Sequence, residues 1–343
     1  MRSWPGWKSM KTIFSFGDSY TTTGFDAIAG PQPNAINPLG NPNKPYYGHK
    51  SSNGPNWIRK LTTKYNQSFI KTFNLACGGA TVASSLIRAI HPKYLSLEQQ
   101  VNDLFIPLYA GLRMEPRAQS LHDERAPRSD SVGAEKSVPD LSASGGPTPE
   151  RDSWETRSTL FTFFLGINDV GLSYTKESPS VYDEYLTIYA SLIDTIYAAN
   201  GRHFLFLLVP PIDRSPLTTS QGRSASTRER IHIQAWNDGL SKLANDFRHN
   251  RPDASVFVFN THALFSSVMD DATMFPETAI YSDTTGFCEA YAMGTEAVDT
   301  QLPGCLYSVN QYLWLNDLHP TYPIHDLLAK QVAEILTRLY STL

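Results

Sequence analysis

Five short runs of this chain are apolar almost without a break, and they limit the possible folds more than any other feature. They cover residues 12–16, 69–75, 160–165, 203–209 and 255–259. Leu160-Phe161-Thr162-Phe163-Phe164-Leu165 carries one hydroxyl and no charge. A strand with one wet face alternates polar and apolar residues. Runs without alternation suit strands covered on both faces, and such sheets are parallel. Helical patterns intervene at residues 55–66, 97–112, 181–200, 227–249 and 324–343. In the third, Tyr182, Tyr185, Leu186, Tyr189, Leu192, Ile193 and Ile196 recur at helical spacing, which marks a core stripe. Strand–helix alternation with right-handed crossovers predicts a three-layer α/β/α sandwich around a mainly parallel five-stranded sheet.

The chain has 343 residues, room for one large domain spanning 1–343. Residues 113–153 do not fit the pattern. Their larger apolar residues are only Met114, Leu121, Val132, Val138 and Leu141, among prolines and charges. Such a stretch cannot bury enough surface to offset its ordering entropy, so it is expected to be a disordered insertion within the domain. The formal net charge of -4 argues against nucleic acid as the main partner. No run of about 18 apolar residues predicts a membrane span. The first eight residues lack the apolar stretch of a secretory leader. That leaves a cytosolic protein, or a secreted one whose leader is missing from the sequence.

The three cysteines are Cys77, Cys288 and Cys305. Cys77 reads as a small buried residue. Cys288 and Cys305 flank a Gly-, Thr- and Tyr-rich segment. A disulfide there would favour an oxidising compartment, and two unrelated thiols are the alternative. No metal-ligand spacing occurs, so neither metal nor cofactor is expected.

Open α/β sheets bind ligands beyond the carboxyl ends of their strands. Ser19 and Asn168 both follow apolar runs directly, in Phe16-Gly17-Asp18-Ser19-Tyr20 and Gly166-Ile167-Asn168-Asp169. His319 stands in Asp317-Leu318-His319-Pro320, just before the last helical pattern. A serine alone is a poor nucleophile and needs a base, and imidazole titrates near neutrality. The Asn168 amide and the backbone N–H groups of Ser19 and Gly79 would supply the donors an oxyanion requires. Together these pieces are the minimum kit for acyl transfer.

The four blocks Phe16–Thr21, Asn74–Gly79, Gly166–Asp169 and His319–Thr321 occur in the order found in GDSL/SGNH hydrolases, which this chain resembles. The likeness extends to Ser52-Asn53-Gly54-Pro55-Asn56-Trp57 and covers nearly everything outside 113–153. It implies a flavodoxin-like layout with Ser19 as nucleophile, His319 as base and an oxyanion hole of Ser19, Gly79 and Asn168. Gly78-Gly79-Ala80-Thr81-Val82 and residues 314–323 look closest to fungal secreted acetylesterases acting on carbohydrates. That likeness further implies a bridged Cys288–Cys305 pair, an extracellular location and a small-molecule or carbohydrate ester as substrate. A monomer is expected. Tyr20, Phe25, Tyr46 and Trp314 are candidates for stacking on sugar rings.

One departure matters. The family places Asp three residues before the catalytic His, where this chain has Asn316, and Asp317 lies two before. Asp317 is slightly favoured as the acid. Asn316 orienting the ring, or a Ser19–His319 dyad held by a backbone carbonyl, are the other possibilities. The alternative functions are a lipase or phospholipase on the same scaffold and a non-catalytic member of the fold.

Overall fold

β1 (Thr12–Gly17), β2 (Lys71–Asn74), β3 (Thr159–Phe164), β4 (His203–Leu207) and β5 (Ser255–Phe259) form one sheet in the order β2-β1-β3-β4-β5, with every neighbouring pair parallel. The structure is a computed structural model and describes residues 4–42, 51–87, 91, 93–113 and 151–338. Parallel strands in register set like positions side by side, roughly 4.8 Å apart. Here that puts phenylalanines into rungs. Phe14 lies opposite Phe73 and Phe161, and its ring stacks on both, with centroids 5.0 and 5.5 Å away. Phe163 continues the pattern between Phe16 and Phe206, at 5.0 and 5.3 Å. The opposite face carries Ile13, Leu160 and Leu205, equally buried. The lack of alternation in these runs is therefore the mark of a sheet with no wet face.

The helices are α1 (Trp57–Thr63), α2 (Leu97–Gln99), α3 (Ile106–Tyr109), α4 (Ile167–Ser173), α5 (Tyr182–Ala198), α6 (Pro216–Thr219), α7 (Arg223–Asn250), α8 (Thr261–Asp270) and α9 (Tyr322–Arg338). In one layer α9 packs against α1 and α8; in the other α7 packs against α5 and α4. The stripe from Tyr182 to Ile196 is buried throughout. The fold is thus a three-layer α/β/α sandwich.

The helix expected over 97–112 is not uniform. Residues Gln100–Phe105 between α2 and α3 wind as a π-helix, with the Ile106 N–H bonded to the Val101 carbonyl. Pro107 follows and has no N–H to donate, so a regular α-helical ladder cannot run through this point. β2 is shorter than the 69–75 run. β1 starts at Thr12, opposite Lys71, so Phe69 has no partner strand and is half exposed. Short α4 and ten-residue α8 fall outside the sequence expectation, since few turns leave little periodicity to read.

Residues 114–150 of the expected insertion lie outside the described residues, as do 339–343 of the last helical pattern. Arg113 and 151–153 belong to the fold. Arg113 forms a β-bridge with Trp154, Arg151 donates to the Ala27 carbonyl at 2.8 Å, and Asp152 pairs with Lys71 at 2.7 Å. Among the described residues no helix is long and apolar enough to cross a membrane. Cys288 and Cys305 form a disulfide, and Cys305 packs with Tyr291, Val309, Tyr312 and Leu315 in a small second core.

Candidate active site

The strand order changes direction around β1, which sits between β2 and β3. That arrangement opens a crevice at the carboxyl ends of the three strands. Ser19, Gly79 and Asn168 follow β1, β2 and β3 respectively.

The turn after β1 is held from several sides. The Asp18 carbonyl accepts the N–H groups of Thr21 and Thr22, and its carboxyl accepts that of Tyr20 at 3.0 Å. The Asn56 and Asn74 amides both donate to the Thr21 carbonyl, and the Trp57 indole N–H donates to the Thr21 hydroxyl. Gly17 has no room for a side chain, because a Cβ would sit 2.8 Å from that of Thr21. Ser19 itself stays partly exposed at the tip.

His319 arrives from the other end of the chain. Trp314 bridges Pro320 in antiparallel fashion, and the Leu315 N–H donates to the His319 carbonyl at 2.8 Å. The Tyr20 hydroxyl donates to the Leu318 carbonyl at 2.6 Å, which ties this loop to the serine turn. His319 Nε2 then lies 2.9 Å from Ser19 Oγ. Asn316 Oδ1 lies 3.0 Å from His319 Nδ1 and also accepts the N–H groups of Leu318 and His319, at 3.1 and 2.8 Å. Two backbone donors fix that amide with its oxygen toward the ring. Nδ1 must therefore carry the proton, and the lone pair of Nε2 faces the serine hydroxyl. Loss of hydration around the ring pushes His319 down to about 4, so it is neutral at ordinary pH.

The group on Nδ1 is thus Asn316, not the Asp317 preferred from the sequence. Asp317 has an exposed side chain, and its contribution to the loop is a backbone carbonyl that accepts the Leu217 N–H at 2.8 Å. The reason is local. The oxygen of Asn316 folds back onto the N–H groups two and three residues on, those of Leu318 and His319, and this turn directs residue 317 outward.

Gly79 has φ +74°, and a Cβ there would lie 2.4 Å from the ring of Tyr94. Neither its N–H nor that of Ser19 donates to another described residue. Asn168 Nδ2 donates to the Ala80 carbonyl at 2.9 Å, which leaves the second N–H of the amide for another acceptor. Asp169 Oδ1 accepts the Val82 N–H at 2.9 Å, so adjacent side chains of α4 grip the loop that carries Gly79. Burial pushes both Asp18 and Asp169 up to about 7. In Gly79→Ala the added methyl meets both the positive φ and Tyr94. For the oxyanion donor expected from the sequence, the displacement predicts a loss of kcat of at least about tenfold, with the folded fraction checked by circular dichroism.

Of the aromatics proposed for sugar stacking, Tyr20 and Trp314 are fully buried and serve as struts. Phe25 packs edge-on against Phe73, and Tyr46 lies outside the described residues. Among the described residues Tyr94 presents a partly exposed ring beside Gly79, in a stretch whose sequence shows no periodicity. Cys77 is half-buried rather than buried, and its sulfur accepts the Leu95 N–H at 3.3 Å.

An acetylesterase of Thermothelomyces thermophilus is 27% identical to this chain over 330 residues, 95% of this chain and 88% of that one. A solved structure from Parabacteroides merdae, described as a GDSL-like lipase, aligns at 13% identity with a TM-score of 0.44, covering 96% of each chain. An active-site mutant of a family two carbohydrate esterase from Clostridium thermocellum aligns at 12% identity with a TM-score of 0.40, covering 97% of this chain and 65% of that one. The fold rests on the sheet order itself. The GDSL-like lipase/acylhydrolase family matches residues 13–332, and the chain belongs to that family of carboxylic ester hydrolases.

Proposed function

We propose that this chain is a serine acetylesterase that removes acetyl groups from carbohydrate. The observation that carries the reading is the relay Asn316 Oδ1, His319 Nδ1–Nε2, Ser19 Oγ, with successive distances of 3.0 and 2.9 Å. Ser19 Oγ attacks the ester carbonyl carbon and passes its proton to His319 Nε2. The carbonyl oxygen becomes an oxyanion received by the N–H groups of Ser19 and Gly79 and the amide of Asn168. The tetrahedral intermediate collapses, the carbon–oxygen bond to the sugar breaks, and His319 returns the proton to the departing alkoxide. Water then attacks the acetyl-serine with His319 again as base, releasing acetate and restoring Ser19.

The short-acyl part of the reading is supported by the acetylesterase relative. The sugar part rests on the likeness of residues 78–82 and 314–323 to carbohydrate acetylesterases. The Cys288–Cys305 bridge supports a secreted protein, since such bonds persist in oxidising compartments. We read residues 1–343 as one domain, with the insertion confined to the part of 113–153 between Arg113 and Arg151, acting as a monomer.

A series of p-nitrophenyl esters tests the acyl preference. The expected kcat/KM is highest for acetate and falls at least about tenfold by octanoate, since a site shaped for a methyl group loses complementarity with longer chains. A maximum at long chains would make the protein a lipase instead.

A further inference from the structure

Gln100 is fully buried, and it spends its whole amide on backbone. Its Oε1 accepts the Gly17 N–H at 3.0 Å, and its Nε2 donates to the carbonyls of Gly17 and Leu95, at 2.9 and 3.1 Å. It is the first residue of the π-helical turn between α2 and α3.

The sheet explains why an amide is wanted there. β1 pairs with β3 up to Gly17, opposite Phe164, but with β2 only up to Ser15, opposite Asn74. In a parallel ladder both polar groups of a residue point to the same neighbour. The Ser15 and Gly17 carbonyls accept the N–H groups of Leu75 and Cys77, so both residues face the β2 side. β2 ends at Asn74, and the Gly17 N–H would lie buried and unpaired without another acceptor. Gln100 supplies one. Its side chain imitates a single peptide unit of the strand that has stopped.

The same contacts close a ring. Gln100 joins Gly17 to Leu95, the Leu95 N–H reaches Cys77 Sγ, and the Cys77 N–H returns to the Gly17 carbonyl. Ser19 is two residues beyond Gly17, and Gly79 is two beyond Cys77. Tyr94, which lies over Gly79, precedes Leu95. We propose that Gln100 is a positioning residue for the reaction: through this ring it sets the backbone of Ser19 relative to that of Gly79, so that nucleophile and oxyanion donors meet one carbonyl. The proposal rests on Ser19 being the nucleophile.

Two variants test it. Gln100→Met keeps the volume and removes the amide. At equal folded fraction its kcat for p-nitrophenyl acetate is expected to fall about 100-fold with KM changed less than about threefold, the pattern of misplaced reacting groups. Gln100→Glu adds a readout that simple loss of packing would not move. A protonated carboxyl can accept from Gly17 and donate to a carbonyl, whereas an ionised one can only accept. Burial raises the carboxyl pKa above its ordinary value, so the amide mimic forms as pH falls. The ratio of Gln100→Glu to wild-type kcat is expected to climb at least tenfold from pH 8 to pH 5. His319, Asp18, Asp169 and Cys77 are the titrating groups of the site and are present in both proteins, so the ratio reports the new carboxyl and its effect on them. A Met variant with wild-type kcat, or a flat Glu ratio, overturns the proposal. If the Met variant does not fold, the Glu ratio decides alone. Full activity in Ser19→Ala is a different result, and it would remove the nucleophile reading rather than the role of Gln100.

Discussion

Replacing Ser19 with Ala is expected to lower kcat for p-nitrophenyl acetate by at least about 10⁴-fold, the scale seen when a serine nucleophile is deleted and only the donors remain. The loss is not expected to come from unfolding. Ser19 is partly exposed, and the substitution removes one hydrogen bond, to His319, worth about 0.5–1.5 kcal/mol. A fluorophosphonate probe should label the wild type once and the Ala variant not at all. His319→Ala should cost about as much, and the double variant little more, because nucleophile and base act as a unit. Turnover by Ser19→Ala within tenfold of wild type would end the serine mechanism. An unlabelled, inactive wild type would leave a non-catalytic member of the fold.

The sheet was legible in the sequence because its cause is local. Phe161, Phe163 and Phe164 leave no polar face, and nothing but cover on both sides accommodates them. Ser19 and Asn168 could be placed for the same reason, since each follows where an apolar run gives way to glycine. The choice between Asn316 and Asp317 could not be read, because adjacent loop residues differ only in which side chain turns inward. That is fixed by the Trp314–Pro320 bridge and by two N–H groups bonded to Asn316. Gln100 was equally hidden. A single glutamine in a helical pattern says nothing until β2 is seen to stop at Asn74, 26 residues earlier. Aromatic residue type misled as well: Tyr20 and Trp314 have the surface to stack on a sugar, yet they spend it in the core, while Tyr94 lies open beside Gly79.

Substitutions at Asn316 should change the rate in opposite directions. In Asn316→Ala the imidazole loses the acceptor that fixes its tautomer, and two loop N–H groups lose theirs. A fall in kcat of about 10³-fold is expected, somewhat less than for a triad that also loses a charge. Asn316→Asp keeps all three acceptor contacts and adds a negative charge beside the ring. An opposite charge at such range raises a histidine pKa by about 1–3 units. His319 starts low, near 4, because its ring is poorly hydrated. The base accepts a proton only when neutral, so a raised pKa moves the acid limb of the kcat profile upward, from about 4 toward roughly 6. Above that limb the carboxylate stabilises the imidazolium formed as Ser19 attacks, and kcat should exceed wild type by about 10- to 100-fold at pH 8. Near pH 5 the advantage should shrink or reverse, since the variant's base is then largely protonated. Asp18 and Asp169, which burial pushes up to about 7 in the wild type, are present in both proteins and do not create the difference. Asp317→Ala, which removes an exposed carboxylate, should stay within about threefold of wild type, the small effect usual for a surface charge. A large loss in that variant, together with an unshifted limb in Asn316→Asp, would return the orienting role to Asp317.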